Sequence, residues 1–148
     1  MKTINKLKIA TAATLASLAF ATVVQAKTVE NVVLWDKDGA MGITVSERQL
    51  AAGEITFNVN SRADSTSQHE MIIDRLTPEQ AANPDSLPYD EASSRVKEDQ
   101  IGDLGEVSEL EPGQSGSVTL TLKPGTYMLF CNVAGHYQAK MYAVLHIK

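Results

Sequence analysis

The single cysteine of this 148-residue chain, Cys131, is followed by His136 and then Met141, with four residues in each interval. A second histidine lies far upstream, in Gln68-His69-Glu70-Met71. One thiolate, two imidazoles and a weak thioether suit a copper ion that exchanges single electrons. Zinc matches two histidines and a cysteine equally well on bare ligand count, but the Irving–Williams order and the thioether favour copper. Each residue also has an ordinary use. A lone cysteine packs as a small buried hydrophobe, methionine fills cores, and a loop histidine needs only one hydrogen bond. The joint pattern of spacing, strand context and an odd cysteine favours the metal.

The elements that must position these residues are strands. Thr126–Cys131 is an apolar run ending on the cysteine, and Met141 opens a segment in which Ala143, Leu145 and Ile147 alternate with other residues. The period of two marks a half-buried strand. His136 then lies midway along the loop joining the two strands. A fourth ligand must come from elsewhere. His69 stands beside the polar loop Arg62–Gln68, at the start of a strand candidate ending at Leu76. His146 falls opposite the Ala143/Leu145/Ile147 face and is expected on the surface. The expected metal ligands are therefore His69, Cys131, His136 and Met141, with Met71 in the core and no catalytic residues.

Further strands are expected at Val29–Leu34, Ile43–Val45, Ile55–Val59, Val107–Leu110 and Ser117–Leu122, separated by turns such as Asp36-Lys-Asp-Gly39, Pro112-Gly113 and Pro124-Gly125. Seven or eight short strands of this kind imply an all-β, antiparallel sandwich or barrel. Residues 77–104 break the pattern. Thr77-Pro78-Glu79-Gln80 carries a helix cap, a proline at the first helical position and a capping-box glutamine, so a short helix is expected near Pro78–Ala82. A second helix is expected near Tyr89–Val96. From Asp74 to Glu111 there are 11 acids against three bases, which reads as a solvated surface excursion.

Residues 1–26 read as a leader. Lys2, Lys6 and Lys8 precede an apolar run rich in small residues, and Val24-Gln25-Ala26 supplies a cleavage site. The run is broken by Thr and Ser and is shorter than the roughly 20 apolar residues of a membrane span. The mature chain would be Lys27–Lys148, a single domain with 10 basic and 18 acidic residues and a formal net charge of −8. That balance excludes nucleic acid and anionic lipid as natural partners. Export implies an oxidising compartment, the periplasm, where one cysteine cannot form an internal disulfide.

The Cys131–Met141 segment resembles the ligand loop of the cupredoxins, with a four-and-four spacing closest to the rusticyanin and auracyanin type. The stretch from Ala52-Gly53 through Phe57 to His69 is similar to the strand pair that carries the first histidine there. The resemblance covers residues 29–76 and 105–148 and implies a Greek-key β-sandwich holding one type 1 copper ion. His69, Cys131 and His136 would be the equatorial ligands and Met141 the long axial one. It further implies a soluble, monomeric one-electron carrier with redox partners such as c-type cytochromes, oxidases or reductases. Two positions depart from the pattern: Glu70 replaces an asparagine that ties the ligand loops together, and Lys140 replaces a glycine before the axial ligand. Lys140 is expected to face solvent and to avoid the backbone angles open to glycine.

Rival functions fare worse. Copper storage, delivery or resistance would suit Met- or His-rich runs, which are absent. Multicopper oxidases flank the cysteine with bridging histidines, but here the neighbours are Phe130 and Asn132, and three histidines cannot build a trinuclear cluster. A Cys–His hydrolase lacks an evident acid to orient His136.

Overall fold

The computed structural model describes residues 27–148; the expected leader, residues 1–26, lies outside the described residues. Two sheets face each other. The first contains β1 (Thr28–Lys37), β2 (Ala40–Val45), β4 (Gly53–Ser61) and β9 (Ser115–Leu122), in the order β2-β1-β4-β9. The second contains β3 (Gln49–Leu50), β5 (His69–Arg75), β8 (Gly105–Leu110), β10 (Gly125–Phe130) and β11 (Tyr142–Ile147), in the order β3-β11-β10-β5-β8. A two-residue pair, β6 (Tyr89–Asp90) and β7 (Arg95–Val96), completes the strands.

Alternation along each strand decides which side chains enter the core. In β1, Glu30, Val32, Leu34 and Asp36 point inward, and in β4 Ile55, Phe57 and Val59 do the same. Met71 and Ile73 of β5, Tyr127 and Leu129 of β10, and Ala143, Leu145 and Ile147 of β11 meet them from the second sheet. The β1–β2 hairpin turns on Asp38 and Gly39, at φ +53° and +81°, the left-handed pair that a tight hairpin requires. Asp36, expected in that turn, instead belongs to the strand and faces inward.

Two pairings differ from the antiparallel expectation: β1 runs parallel to β4, and β3 runs parallel to β11. Parallel neighbours need a crossover. Here the chain leaves the first sheet after β2, touches the edge of the second as β3, and returns as β4. The two residues of β3 are too few for an alternation to register in the sequence.

The excursion between β5 and β8 is packed, not merely solvated. Its helix α1 (Pro78–Ala82) forms as expected: the Thr77 hydroxyl accepts from the Gln80 N–H at 3.2 Å, and the Gln80 side chain accepts from the Thr77 N–H at 2.9 Å. The helix expected near Tyr89–Val96 is instead the β6–β7 hairpin. The Asp90 carboxylate accepts from the N–H groups of Ala92 and Ser93 and from the Ser93 hydroxyl, and this local turn competes with helix. Tyr89 then lies opposite Val96. Leu87 and Val96 join Ile72, Leu76, Met128, Phe130 and Tyr137 in a second apolar cluster on the outer face of the second sheet. That explains why β5 is buried continuously from His69 to Asp74 rather than at alternate residues: both of its faces are covered.

Candidate metal centre

Three strand ends meet at one end of the sandwich. The β10–β11 ladder pairs Phe130 with Tyr142, so the next residues out, Cys131 and Met141, both turn inward; the Cys131 N–H donates to the Met141 carbonyl at 3.1 Å. On the other side β10 pairs with β5, whose first residue, His69, shares the inward face of Met71 and Ile73. The β5–β8 register shifts by one between His69 and Met71, an irregularity of the kind that re-aims side chains beside sites. Cys131, Met141 and His69 are each 0 % exposed, and His136 is 8 % exposed.

The loop from Cys131 to Met141 is stitched internally. His136 N–H donates to the Val133 carbonyl, Ala139 N–H to that of Gly135, Lys140 N–H to that of Tyr137, and Met141 N–H to that of His136. These bonds carry the His136 ring inward, where its Nδ1 lies 3.3 Å from the Cys131 Sγ. The rings of His69 and His136 are 5.2 Å apart. One donor atom each from His69, Cys131 and His136 lie within 4.8 Å of one another. The sequence-predicted equatorial set is thus brought together, and Met141 is buried beside it with its backbone bonded to both Cys131 and His136.

The electrostatics suit a cation. Burial, reinforced at His136 by the neighbouring His69, pushes both imidazoles below their ordinary pKa, so they are neutral near pH 7. Burial pushes the Cys131 thiol up to about 11, against hydrogen bonds from the Glu70 and Val133 N–H groups that favour the thiolate. The His69 Nδ1 is buried with no partner, although its Nε2 bonds the Asp36 carboxylate at 3.0 Å. A buried nitrogen without a partner is costly. Two neutral imidazoles, a thiol able to become a thiolate, and an orphaned nitrogen form a site that a thiophilic transition-metal ion satisfies.

Two residues flanking the site replace what the sequence departures remove. Glu70 ties the ligand segments through its backbone, whose N–H donates to the Cys131 Sγ at 3.4 Å. Its buried side chain turns toward Arg95, whose Nη1 is 3.8 Å away, and burial together with the nearby Glu109 pushes that carboxyl up to about 7. Lys140 faces solvent as expected, but its φ of +68° is the left-handed conformation the sequence argued against. Its ammonium pairs with Asp85 at 2.7 Å, and Asp85 also accepts from the Tyr142 hydroxyl at 2.7 Å, so the excursion holds the lysine where glycine would be free to sit. His146 lies on the surface and outside the cluster.

The sequence reading missed two positioning residues. Asn132, noted there only for not being histidine, is 1 % exposed. Its side chain accepts from the Val96 N–H at 2.6 Å and donates to the Val96 carbonyl at 3.0 Å and to Glu98 at 2.6 Å. Further along, the Gly135 N–H donates to the Ser94 carbonyl, and the Tyr137 hydroxyl donates to the Pro84 carbonyl and accepts from the Leu87 N–H. The excursion is therefore a strap clamped along the ligand loop. A lone asparagine gives no sequence signal for this, because its partners lie 36 residues away. The second missed residue is Asp36.

Two packed sheets with donors converging at one end, where the strands flanking the loop begin and end, make up the cupredoxin fold. Solved structures of that fold superpose on this chain. Auracyanin A from Chloroflexus aurantiacus, described as a "blue" copper protein, aligns at 22 % identity and a TM-score of 0.56, covering 83 % of this chain and 100 % of its own. Auracyanin from Roseiflexus castenholzii aligns at 22 % identity and a TM-score of 0.55, covering 82 % and 96 %. Rusticyanin from Thiobacillus ferrooxidans aligns at 14 % identity and a TM-score of 0.60, covering 82 % and 77 %. No protein-family model matches the chain, and no curated protein matches it in sequence.

Asn132→Ala strands the Val96 N–H and carbonyl inside the strap. The expected cost is about 2–3 kcal/mol, measured by urea unfolding of the metal-free protein, with hydrogen exchange rising at 94–98 and in the ligand loop before the sheets.

Proposed function

We propose that the chain is a one-electron carrier holding a single type 1 copper ion on His69, Cys131 and His136, with Met141 as the weak axial donor. The observation that carries this reading is the convergence of two buried imidazoles and a buried thiol, donor atoms within 4.8 Å, on a cupredoxin fold. Copper bound there supplies a reversible Cu(I)/Cu(II) couple.

The remaining work falls to the chain. Cys131 gives up its proton on ligation, and the Glu70 and Val133 N–H groups hold the resulting thiolate. The sheets and the strap fix the loop from Asn132 to Lys140, so the donors move little between oxidation states and the barrier to transfer stays small. His136, the one ligand with surface exposure, is the edge through which an electron leaves. Phe130 and Asn132 on either side of the cysteine offer no second metal ligand, in keeping with a carrier that is not an enzyme.

The partners proposed are basic redox proteins such as c-type cytochromes, oxidases or reductases, met by a soluble monomer in the periplasm after removal of the leader. The charge of the 74–111 segment supports this. Part of it, including Asp85, Asp90, Glu91 and Glu98, belongs to the strap beside the ligand loop. Among the described residues no helix is long and apolar enough to cross a membrane.

Adding Cu(II) to the metal-free mature protein tests the site. An intense blue or green thiolate-to-copper absorption is expected with one equivalent, and Cys131→Ser is expected to abolish it; a colourless wild type, or colour surviving in the variant, would sink the proposal. Met141→Leu is expected to keep the colour and raise the midpoint potential, because it removes a weak donor to Cu(II), and voltammetry reads the shift. Stopped-flow transfer to a basic cytochrome c is expected to slow as ionic strength rises from about 0.01 to 0.15 M; a rate indifferent to salt would remove the strap from the docking surface.

A further inference from the structure

Asp36 is an inward-facing acid at the end of β1, 7 % exposed, on the strand face that also carries Val32 and Leu34 into the core. Its surroundings are built for an ionised carboxylate. Its oxygens accept from the Thr66 hydroxyl, from the Thr66 N–H at 2.9 Å and from the Ser67 N–H at 3.4 Å, and the His69 ring completes the set of donors around it. The Asp36 N–H in turn donates to the Ser65 hydroxyl at 3.2 Å. Asp36 stands on the first sheet and His69 on the second, so their 3.0 Å hydrogen bond spans the two sheets.

The geometry points to Asp36 as the positioning residue of the metal centre: it holds His69 as the Nε2–H tautomer, aims the free Nδ1 at the ion, and places a fixed negative charge behind the ligand that favours the oxidised state. The inference rests on the proposed copper reading. Its physical basis is the orphaned Nδ1. An imidazole whose Nε2 donates to a carboxylate is a neutral ring with its lone pair on Nδ1, and that lone pair meets no donor of the protein. A carboxylate behind a ligating imidazole fixes the tautomer and raises ligand basicity. The more basic ring and the nearby anion both favour Cu(II) over Cu(I), which lowers the potential. Among the described residues His136 has no carboxylate bonded to it, so this control acts on one imidazole alone.

Asp36→Asn tests the charge with little change of shape. The amide oxygen still accepts from His69, Thr66 and Ser67, and the amide nitrogen can donate to the Thr66 hydroxyl. The expected result is a blue protein whose Cu(II)-over-Cu(I) preference falls about tenfold, read by voltammetry as a rise of roughly 59 mV for one electron. A blue variant at the wild-type potential would overturn the inference while leaving the copper reading intact; a colourless wild type would overturn both. A metal-free measurement needs no variant to fold. Long-range nitrogen–proton correlation spectra of the wild-type protein are expected to show His69 protonated at Nε2 only, with a slowly exchanging proton. Protonation at Nδ1, or a mixture of tautomers, would overturn the inference whatever the metal does.

Discussion

Everything in this molecule answers to one constraint: a thiol and two imidazoles must be kept dry, close together and short of partners. Left alone, such a cluster would collapse onto itself or recruit internal hydrogen bonds. The fold prevents this by fixing each donor on a separate support. Cys131 sits at the end of β10, His69 at the start of β5, and His136 on a loop whose own backbone bonds define its turn. The cost of the orphaned Nδ1 is of the order of 1–3 kcal/mol and is carried by the rest of the fold.

Two layers share that load. Between the sheets, Val32, Leu34, Phe57, Leu129 and Leu145 set the spacing of the sandwich. Outside the second sheet, the strap adds a second apolar layer under β5 and β10 and grips the ligand loop through Asn132, Gly135, Tyr137 and Lys140. Four anchors along one short loop leave it little freedom. The left-handed backbone at Lys140 belongs to this arrangement: the Asp85 pairing compensates where an unbranched backbone would otherwise be the simpler choice.

Most of the sandwich was legible because half-buried strands announce themselves by period two, as β4, β9 and β11 do. The ligands were legible because their residue types are rare and their spacing regular. What escaped has a common cause. The β6–β7 hairpin spans eight residues, too few to separate helix from strand by periodicity, and the Asp90 turn that decides it depends on local hydrogen bonding. The parallel pairings depend on where the chain crosses between sheets. Asp36 looked like a turn residue because acids cluster at hairpins; its inward role depends on His69, 33 residues further on.

The ligand set and its supports run from Asp36 to Met141, across most of the described chain, and β1, which carries Asp36, lies inside its sheet between β2 and β4. No contiguous fragment owns the site. The donors come from β5 and from the loop between β10 and β11, far apart in sequence, so they meet only where the second sheet brings those strands side by side.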